Sequence, residues 1–313
     1  MGIKSNVIVG IELDSHEIRA VELKGNKKKT KLSALGRLSL PEGLVKEGKI
    51  LDPQALSLYL EKLWKESGFK SKEVLLGINN QDLIVRFASF PKVPEDKIAG
   101  MIQFQAQDFI PVPLDELELD YIVMGDRKTE EGEFLLVILV AARKKMLNDF
   151  ITAFALTGLN VREIDSCMLA MGRLALLESL NGTFVLAGYN RDIGNVLIFK
   201  EGLLIMARTI AFPQPPLWTA AVSVDNALFN ELRSSLNYSK AQSNQTIDTL
   251  YLMGSGRDIR EEAARLSSST GLQAHLVKPD PLLEAYSGSE AALPYEPQNY
   301  QTCFSLAKRG LDG

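Results

Sequence analysis

Glu12, Asp14 and Ser15, following Gly10 in the stretch VIVGIELDSHEIRAVEL of residues 7–23, are the residues whose types and spacing could do chemistry. Backbone N–H groups and a hydroxyl converging on one turn make a cradle for phosphate, and nearby carboxylates can hold Mg²⁺ through water. The stretch reads as two short strands about a polar turn. The apolar run Val7, Ile8, Val9, Ile11 stops at Asp14-Ser15-His16 and resumes at Ile18, Ala20, Val21 and Leu23. Two readings stay open here, a phosphate cradle and an ordinary edge hairpin with a solvated turn; these residues alone favour the second.

A chain of 313 residues has room for about two domains of ~150 residues. With 46% apolar and 24% charged residues, it can build a large core. A net charge of −4 lacks the basic footprint of a nucleic-acid binder. Lys27, Lys28, Lys29 and Lys31 form one dense basic cluster, read as a solvated hairpin tip. Cys167 and Cys303 stand far apart, and with only His16 and His275 no zinc site is expected. A reducing cytoplasm suits this cysteine usage. The opening MGIKSNVIVG lacks an export signal's apolar core, and the longest uncharged run, 209–224, holds Pro213, Pro215 and Pro216. It falls short of the ~20 apolar residues that span a bilayer, so membrane association is expected only through partners.

The elements that must position the first turn follow from periodicity. A strand over 31–40 precedes a helix that starts at the Asp52 cap with Pro53, aligns Leu56, Tyr59, Leu60 and Leu63, and closes at Gly68. A strand over 73–78 completes an α/β start. From residue 82 the pattern becomes strand (83–90), helix (94–109), and strands over 117–124 and 134–142. A helix over 144–157 then points Leu147, Phe150, Ile151 and Phe154 inward. A compact insert within the first lobe is implied. A helix over 165–180 aligns Met168, Met171, Gly172, Ala175 and Leu176, methionines that belong to a core.

The run FPKVPEDKIAGMIQFQAQDFIPVPLDELELDYIVMG, residues 90–125, resembles the signature of the type IV pilus assembly PilM family. The stretches GIELDSHEIRAVELK, LLVILVAARKKMLNDF, LFNELRSSLNYSKAQ, YLMGSGRDI and the terminal FSLAKRGLDG match in the same order. The resemblance implies a two-lobed actin-like (ribonuclease H-like) α/β fold, shared with the division protein FtsA, with a strand-helix-strand-strand insert. Residues 1–81 and 159–181 would form the first lobe and the inter-lobe helix, 82–158 the insert, and 182–313 the second lobe with a C-terminal helix.

Members of this fold bind ATP between the lobes through two phosphate turns and a third glycine turn. The family's Gly-Ile-Asp-Ile-Gly-Ser is here Gly10-Ile11-Glu12-Leu13-Asp14-Ser15, so a carboxylate replaces glycine where backbone should meet phosphate. In the second turn the aspartate falls at Gly188, the glycine at Asn190 and the threonines at Ile193 and Gly194. Asp192-Ile193-Gly194 offers the right letters only if the hairpin slips. The helix facing the ribose is replaced by the proline-rich stretch after Arg208, and the third turn keeps Gly254-Ser255-Gly256.

The resemblance thus implies a vestigial nucleotide site of Gly10, Glu12, Ser15, Asp192, Gly254, Ser255 and Gly256. No catalytic residue, metal or cofactor is expected, with ATP and Mg²⁺ binding only if the site is retained. The implied role is a cytoplasmic adaptor, peripheral to the inner membrane, that grips the N-terminal tail of a PilN-like membrane protein between insert and first lobe and connects it to the motor ATPases. Val85, Phe87 and Phe104 are its candidate groove residues, for which plain core packing is an equal alternative. An ATP-driven switch of the same machine and an FtsA-like membrane-tethered filament are the competing readings.

Overall fold

Strand β1 (Asn6–Leu13) is apolar on both faces, the mark of a strand covered from both sides. The computed structural model describes residues 6–26, 28–177, 182–212, 223–243, 247–255, 258–286 and 296–312. β1 pairs antiparallel with β2 (Glu17–Asn26), which pairs with β3 (Lys29–Ser39). A short hairpin of β4 (Val45–Lys46) and β5 (Lys49–Ile50), unforeseen in the sequence, leads into α1 (Pro53–Ser67). The Asp52 carboxylate caps α1 by accepting from the Ala55 N–H, and Gly68 ends it in the left-handed conformation at φ 67°. β6 (Glu73–Ile78) returns parallel to β1.

The insert is a three-stranded sheet of β7 (Leu83–Pro91), β8 (Leu117–Thr129) and β9 (Gly132–Arg143), ordered β7-β9-β8, with α2 (Glu95–Gln105) on one face. A 3-10 turn at Ala106–Asp108 ends α2 before the proline-bounded segment beyond it. Next come α3 (Lys144–Ala155), β10 (Asn160–Ser166) and α4 (Cys167–Leu177), and β10 pairs parallel with β6 at the edge of the first sheet. The helix expected from 165 therefore starts at Cys167, because residues 160–166 are extended. Of the side chains expected inward, Ile151 and Leu176 are 45% and 43% exposed, while Met146 and Ala153 take inner places on α3.

The second sheet repeats the first. β11 (Thr183–Tyr189), β12 (Ile193–Lys200) and β13 (Leu203–Ala211) form an antiparallel meander. After α5 (Ser223–Ser243), β14 (Thr249–Gly254) adds parallel to β11; after α6 (Ile259–Thr270), β15 (Gln273–Leu276) adds parallel to β14. The orders β3-β2-β1-β6-β10 and β13-β12-β11-β14-β15 match strand for strand in direction. Two lobes of one plan are packed against α4, whose Met168, Met171 and Leu174 meet Phe184, Leu186 and Phe199 of the second lobe.

After α7 (Pro281–Glu284), α8 (Gln301–Asp312) corrects the expected division. It packs on the first lobe, not the second, with Phe304, Leu306, Ala307 and Leu311 against Ile8, Val21 and Leu75. α3, counted with the insert, buries Phe150 and Phe154 in the first lobe's other core with Val9 and Leu56. Gly10 lies under α8: a Cβ there would stand 2.1 Å from the Cys303 carbonyl oxygen and 2.5 Å from the Ala307 nitrogen. Backbone atoms cannot yield to that. Gly10→Ala is expected to cost about 3 kcal/mol or more of unfolding free energy, read by urea titration; a glycine kept only for phosphate would leave the midpoint in place.

Candidate functional site

The β1–β2 register sets Glu12 directly opposite Arg19, and Glu17 lies two residues from Arg19 on the same strand. Arg19 is fully buried, and its guanidinium donates to Glu12 (3.1 Å), Glu17 (2.6 Å) and Asp14 (3.2 Å). Arg37 reaches the other oxygen of Glu17 at 2.6 Å. Burial works against the Arg19 charge, but the carboxylates of Glu12, Asp14 and Glu17 outweigh it and raise its pKa. Glu12 is raised, because burial exceeds the pull of Arg19; Glu17 is lowered, because Arg19 and Arg37 together overcome its burial. One arginine thus lets a single hairpin end carry three carboxylates.

The two hairpin turns are built alike. Asp14 Oδ1 accepts from the N–H groups of His16 (2.8 Å) and Glu17 (3.0 Å), and Asn190 Oδ1 accepts from those of Asp192 (2.9 Å) and Ile193 (2.8 Å). Gly188 opposes Asn195 and Tyr189 opposes Gly194, leaving 190–192 as the turn. The expectation that Asp192 needs a slipped hairpin is therefore corrected. In the unslipped register Asp192 is buried and reaches the first turn, where one oxygen accepts the Ser15 N–H (2.7 Å) and the other the Ser15 hydroxyl. Burial, opposed by the Ser15 hydrogen bonds and helped by the Asp14 charge, raises the Asp192 pKa. A second link lies deeper: the Asn195 amide donates to Asn79 (3.1 Å) and accepts from the Thr209 hydroxyl (3.1 Å).

Other expected site residues have packing duties. At Gly188, the expected aspartate position, a Cβ would stand 2.1 Å from the Met171 sulfur. Gly254 has φ 154°, and its Cβ would fall 2.3 Å from the Tyr189 carbonyl, to which the Ser255 N–H also donates (3.0 Å). A large residue at 254 would disturb this sheet end whether or not a nucleotide binds. Gly256 lies outside the described residues. The structure joins Ser15 to Asp192 and Glu12 to Arg19; it sets Gly10 under α8, and Gly254 and Ser255 against Tyr189. Arg19 and Asn195 were missed in the sequence, although a lone arginine in the apolar run 18–23 was a legible sign of a buried ion cluster.

Two of the three groove candidates, Val85 and Phe87, line one cleft, and Phe104 stands apart from it. Val85 is buried with Ile138, Met168 and Leu204 on the sheet face turned to the second lobe. Phe87, on the same strand face, is 36% exposed and lines a cleft of about 640 Å³ with Ile205, Arg208 and Tyr238. Phe104 is 85% exposed on α2, which covers the opposite face. The cleft thus lies between insert and second lobe, and β7 and β13, which border it, are both outer strands of their sheets.

Duplicated five-stranded sheets hinged on one helix, with paired hairpin turns facing across the cleft, define an actin-like protein. One similar solved structure is a Bacteroides thetaiotaomicron protein with an actin-like ATPase fold, at TM-score 0.50 and 14% identity, covering 86% of this chain and 90% of that one. Another is the cytoplasmic domain of EpsL, an inner-membrane component of the Vibrio cholerae type II secretion system, at 0.51 and 12%, covering 97% and 94%. A PilM-PilN type IV pilus biogenesis complex matches at TM-score 0.80 and 22% identity over 98% of this chain and 99% of that one. The sequence profile of the type IV pilus assembly protein PilM matches residues 10–182, more than half of the chain, and the chain belongs to that family. Its role is accordingly in type IV pilus assembly. No described helix is long and apolar enough to cross a membrane.

Two variants test the electrostatics. Arg19→Met takes the cation from Glu12 and Asp14, leaves Glu17 with Arg37 alone, and should cost about 3–5 kcal/mol at neutral pH. In the intact chain the lowered Glu17 contributes stability that is lost as pH falls through its folded pKa. In the variant the unpaired carboxylates take up protons first in the folded state, so thermal stability should rise on mild acidification, reversing the sign. For Asp192, whose pKa is raised, the folded chain binds the proton first, and its contribution declines as pH rises through the window above the ordinary aspartate value. Asp192→Asn should flatten that part of the melting-temperature profile, compared with the intact chain across the same buffers.

Proposed function

We propose that this chain is a cytoplasmic adaptor of the pilus assembly platform that holds the N-terminal tail of a PilN-like inner-membrane protein, connects it to the motor, and works without nucleotide hydrolysis. The observation that carries this reading is the Ser15–Asp192 contact. An N–H and a hydroxyl on a tight turn are what a terminal phosphate would need, and here both meet the chain's own carboxylate. The surroundings fit a magnesium-bound triphosphate poorly. Glu12 is engaged by Arg19, Asp14 adds negative charge beside the turn, and Met171 fills the space a metal-binding side chain at 188 would need. For the switch reading, Asp192 would have to leave Ser15 and turn towards a metal. The tethered-filament reading draws no support from α8, which spends its apolar face on the first sheet.

For the tail, the cleft beside β7 offers unpaired main-chain groups along an outer strand and the apolar surface of Phe87, Ile205 and Tyr238. An extended segment gains affinity from the strand edge and selectivity from such pockets. Titration calorimetry with a peptide of the partner's cytoplasmic tail, and separately with ATP and Mg²⁺, tests both halves. Tail binding that Phe87→Asp weakens by at least about tenfold, with no heat from ATP, is expected. Tight ATP binding that disappears in Ser15→Ala would overturn the nucleotide-independent reading, and absence of tail binding would overturn the adaptor.

A further inference from the structure

Five lysines, Lys24, Lys27, Lys28, Lys29 and Lys31, fall within eight residues of a chain whose net charge is −4. Pairing of β2 with β3 places Lys24 directly opposite Lys31, and like charges so placed weaken a hairpin. The turn does not need the lysine side chains. The Asn26 side chain accepts from the N–H groups of Lys28 (3.0 Å) and Lys29 (3.1 Å), and Gly25 at φ 132° admits the Lys29 carbonyl where a Cβ would stand. On its other side Lys24 pairs with Val7, whose carbonyl accepts from the Ser71 hydroxyl (2.7 Å), so the loop with exposed Lys70 and Lys72 lies at the same end of the sheet.

Several lysines elsewhere meet carboxylates, as in Lys49–Asp82, Lys62–Glu66 and Lys145–Asp149. Among the described residues no carboxylate lies in ion-pair reach of Lys24, Lys28, Lys29, Lys31, Lys70 or Lys72. The acids beside them, Glu22 and Glu73, are held by neutral donors, the N–H groups of Lys70 and Ser71 and the Asn160 amide, and offset only part of the charge of six lysines. A net positive field therefore sits at the end of the first lobe remote from the hairpin turns of residues 14–16 and 190–192.

We propose that this lysine-bearing end docks on an anionic phospholipid surface. All six groups are lysines, flexible point charges suited to a diffuse layer of headgroups, whereas a fixed phosphate geometry would favour the planar fork of arginine. An otherwise acidic chain is poorly suited to following a nucleic-acid backbone beyond so small a patch. Clusters of four to eight basic residues bind anionic leaflets, and such a patch holds best when a second anchor joins it. The tail-bound membrane protein supplies that anchor under the reading above, on which only the second anchor rests.

The test is sedimentation of the full chain with vesicles of phosphatidylcholine alone, or containing about one-third phosphatidylglycerol. Binding is expected only to the anionic vesicles, and it should vanish as salt rises from about 0.1 M to about 1 M, where the screening length falls to about 3 Å. The double variant Lys24→Glu, Lys31→Glu should lower partitioning by at least about tenfold. Lys28→Gln with Lys29→Gln, which leaves the turn's backbone bonds in place, should lower it several-fold. Equal binding to neutral vesicles, or unchanged binding in both variants, would overturn the proposal. Capture on heparin without vesicle binding would also overturn it, moving the patch to an acidic polymer. Tail-peptide calorimetry on the same variants is expected to be unchanged; if the unmodified chain binds no tail but still binds anionic vesicles, the adaptor reading falls and this one stands.

Discussion

The Asp192 carboxylate, buried between the lobes and held by the N–H and hydroxyl of Ser15, is the contact on which the cleft's geometry turns. A hydrogen bond to a charged group contributes about 1.5–3 kcal/mol, while withdrawing a carboxylate from water costs several. Burial, with the Asp14 charge beside it, raises the Asp192 pKa against the pull of the two Ser15 bonds. The contact therefore does not hold the lobes together by strength. Their cohesion comes from α4, whose methionines and Leu174 fill the space under Phe184 and Phe199. What Asp192 adds is register: its two bonds to Ser15 form only when both turns face each other, so sliding of one lobe over the other breaks them.

That arrangement depends in turn on Arg19. A glycine-to-aspartate change in the first turn, beside Glu12 and Glu17, would leave three carboxylates on one hairpin end with Asp192 approaching from across the cleft. The buried guanidinium reaches all three of the first hairpin's carboxylates, while Asp14 uses its other oxygen to close the turn. Asp14 and the fully buried Arg19 thus belong to one ion cluster. Asp14 makes the turn self-satisfied, one oxygen closing it and the other meeting Arg19.

The elements legible in the sequence carry their signals locally. The cap and proline at 52–53, the left-handed glycine at 68, the apolar runs of β1, β2 and β6 and the alternation in β7 need no tertiary knowledge. What could not be read is set by distant partners. β10, with the polar sequence NVREIDS, is an edge strand whose outer side chains meet water and Arg309, so it lacks an apolar run. α8 has a strong apolar face, but only the fold decides which lobe receives it. Asp192 looked misplaced because counting along strands locates a backbone position, whereas a carboxylate at a turn reaches beyond it. Val85 and Phe104, both apolar and in the first third of the insert's sequence, were separated by a sheet whose sides the alternation alone does not label.

Under the adaptor reading, the closed cleft also determines where a signal can enter. A ligand shifts two conformations only by the difference in its affinity for them. A nucleotide entering between these turns would first displace Asp192 from Ser15, so part of its binding energy would be spent against the chain's own bonds. A partner at the β7 edge meets no such opposition. Val85 already joins the insert to the second lobe through Leu204, and Phe87 stands beside Ile205 on the open side of the same contact. A peptide bridging those surfaces would bind more tightly when insert and lobe are held together, and would thereby stiffen the joint without any change at the hairpin turns. In such a protein, mechanical coupling through the insert takes the place that phosphate contacts hold in an actin-like ATPase.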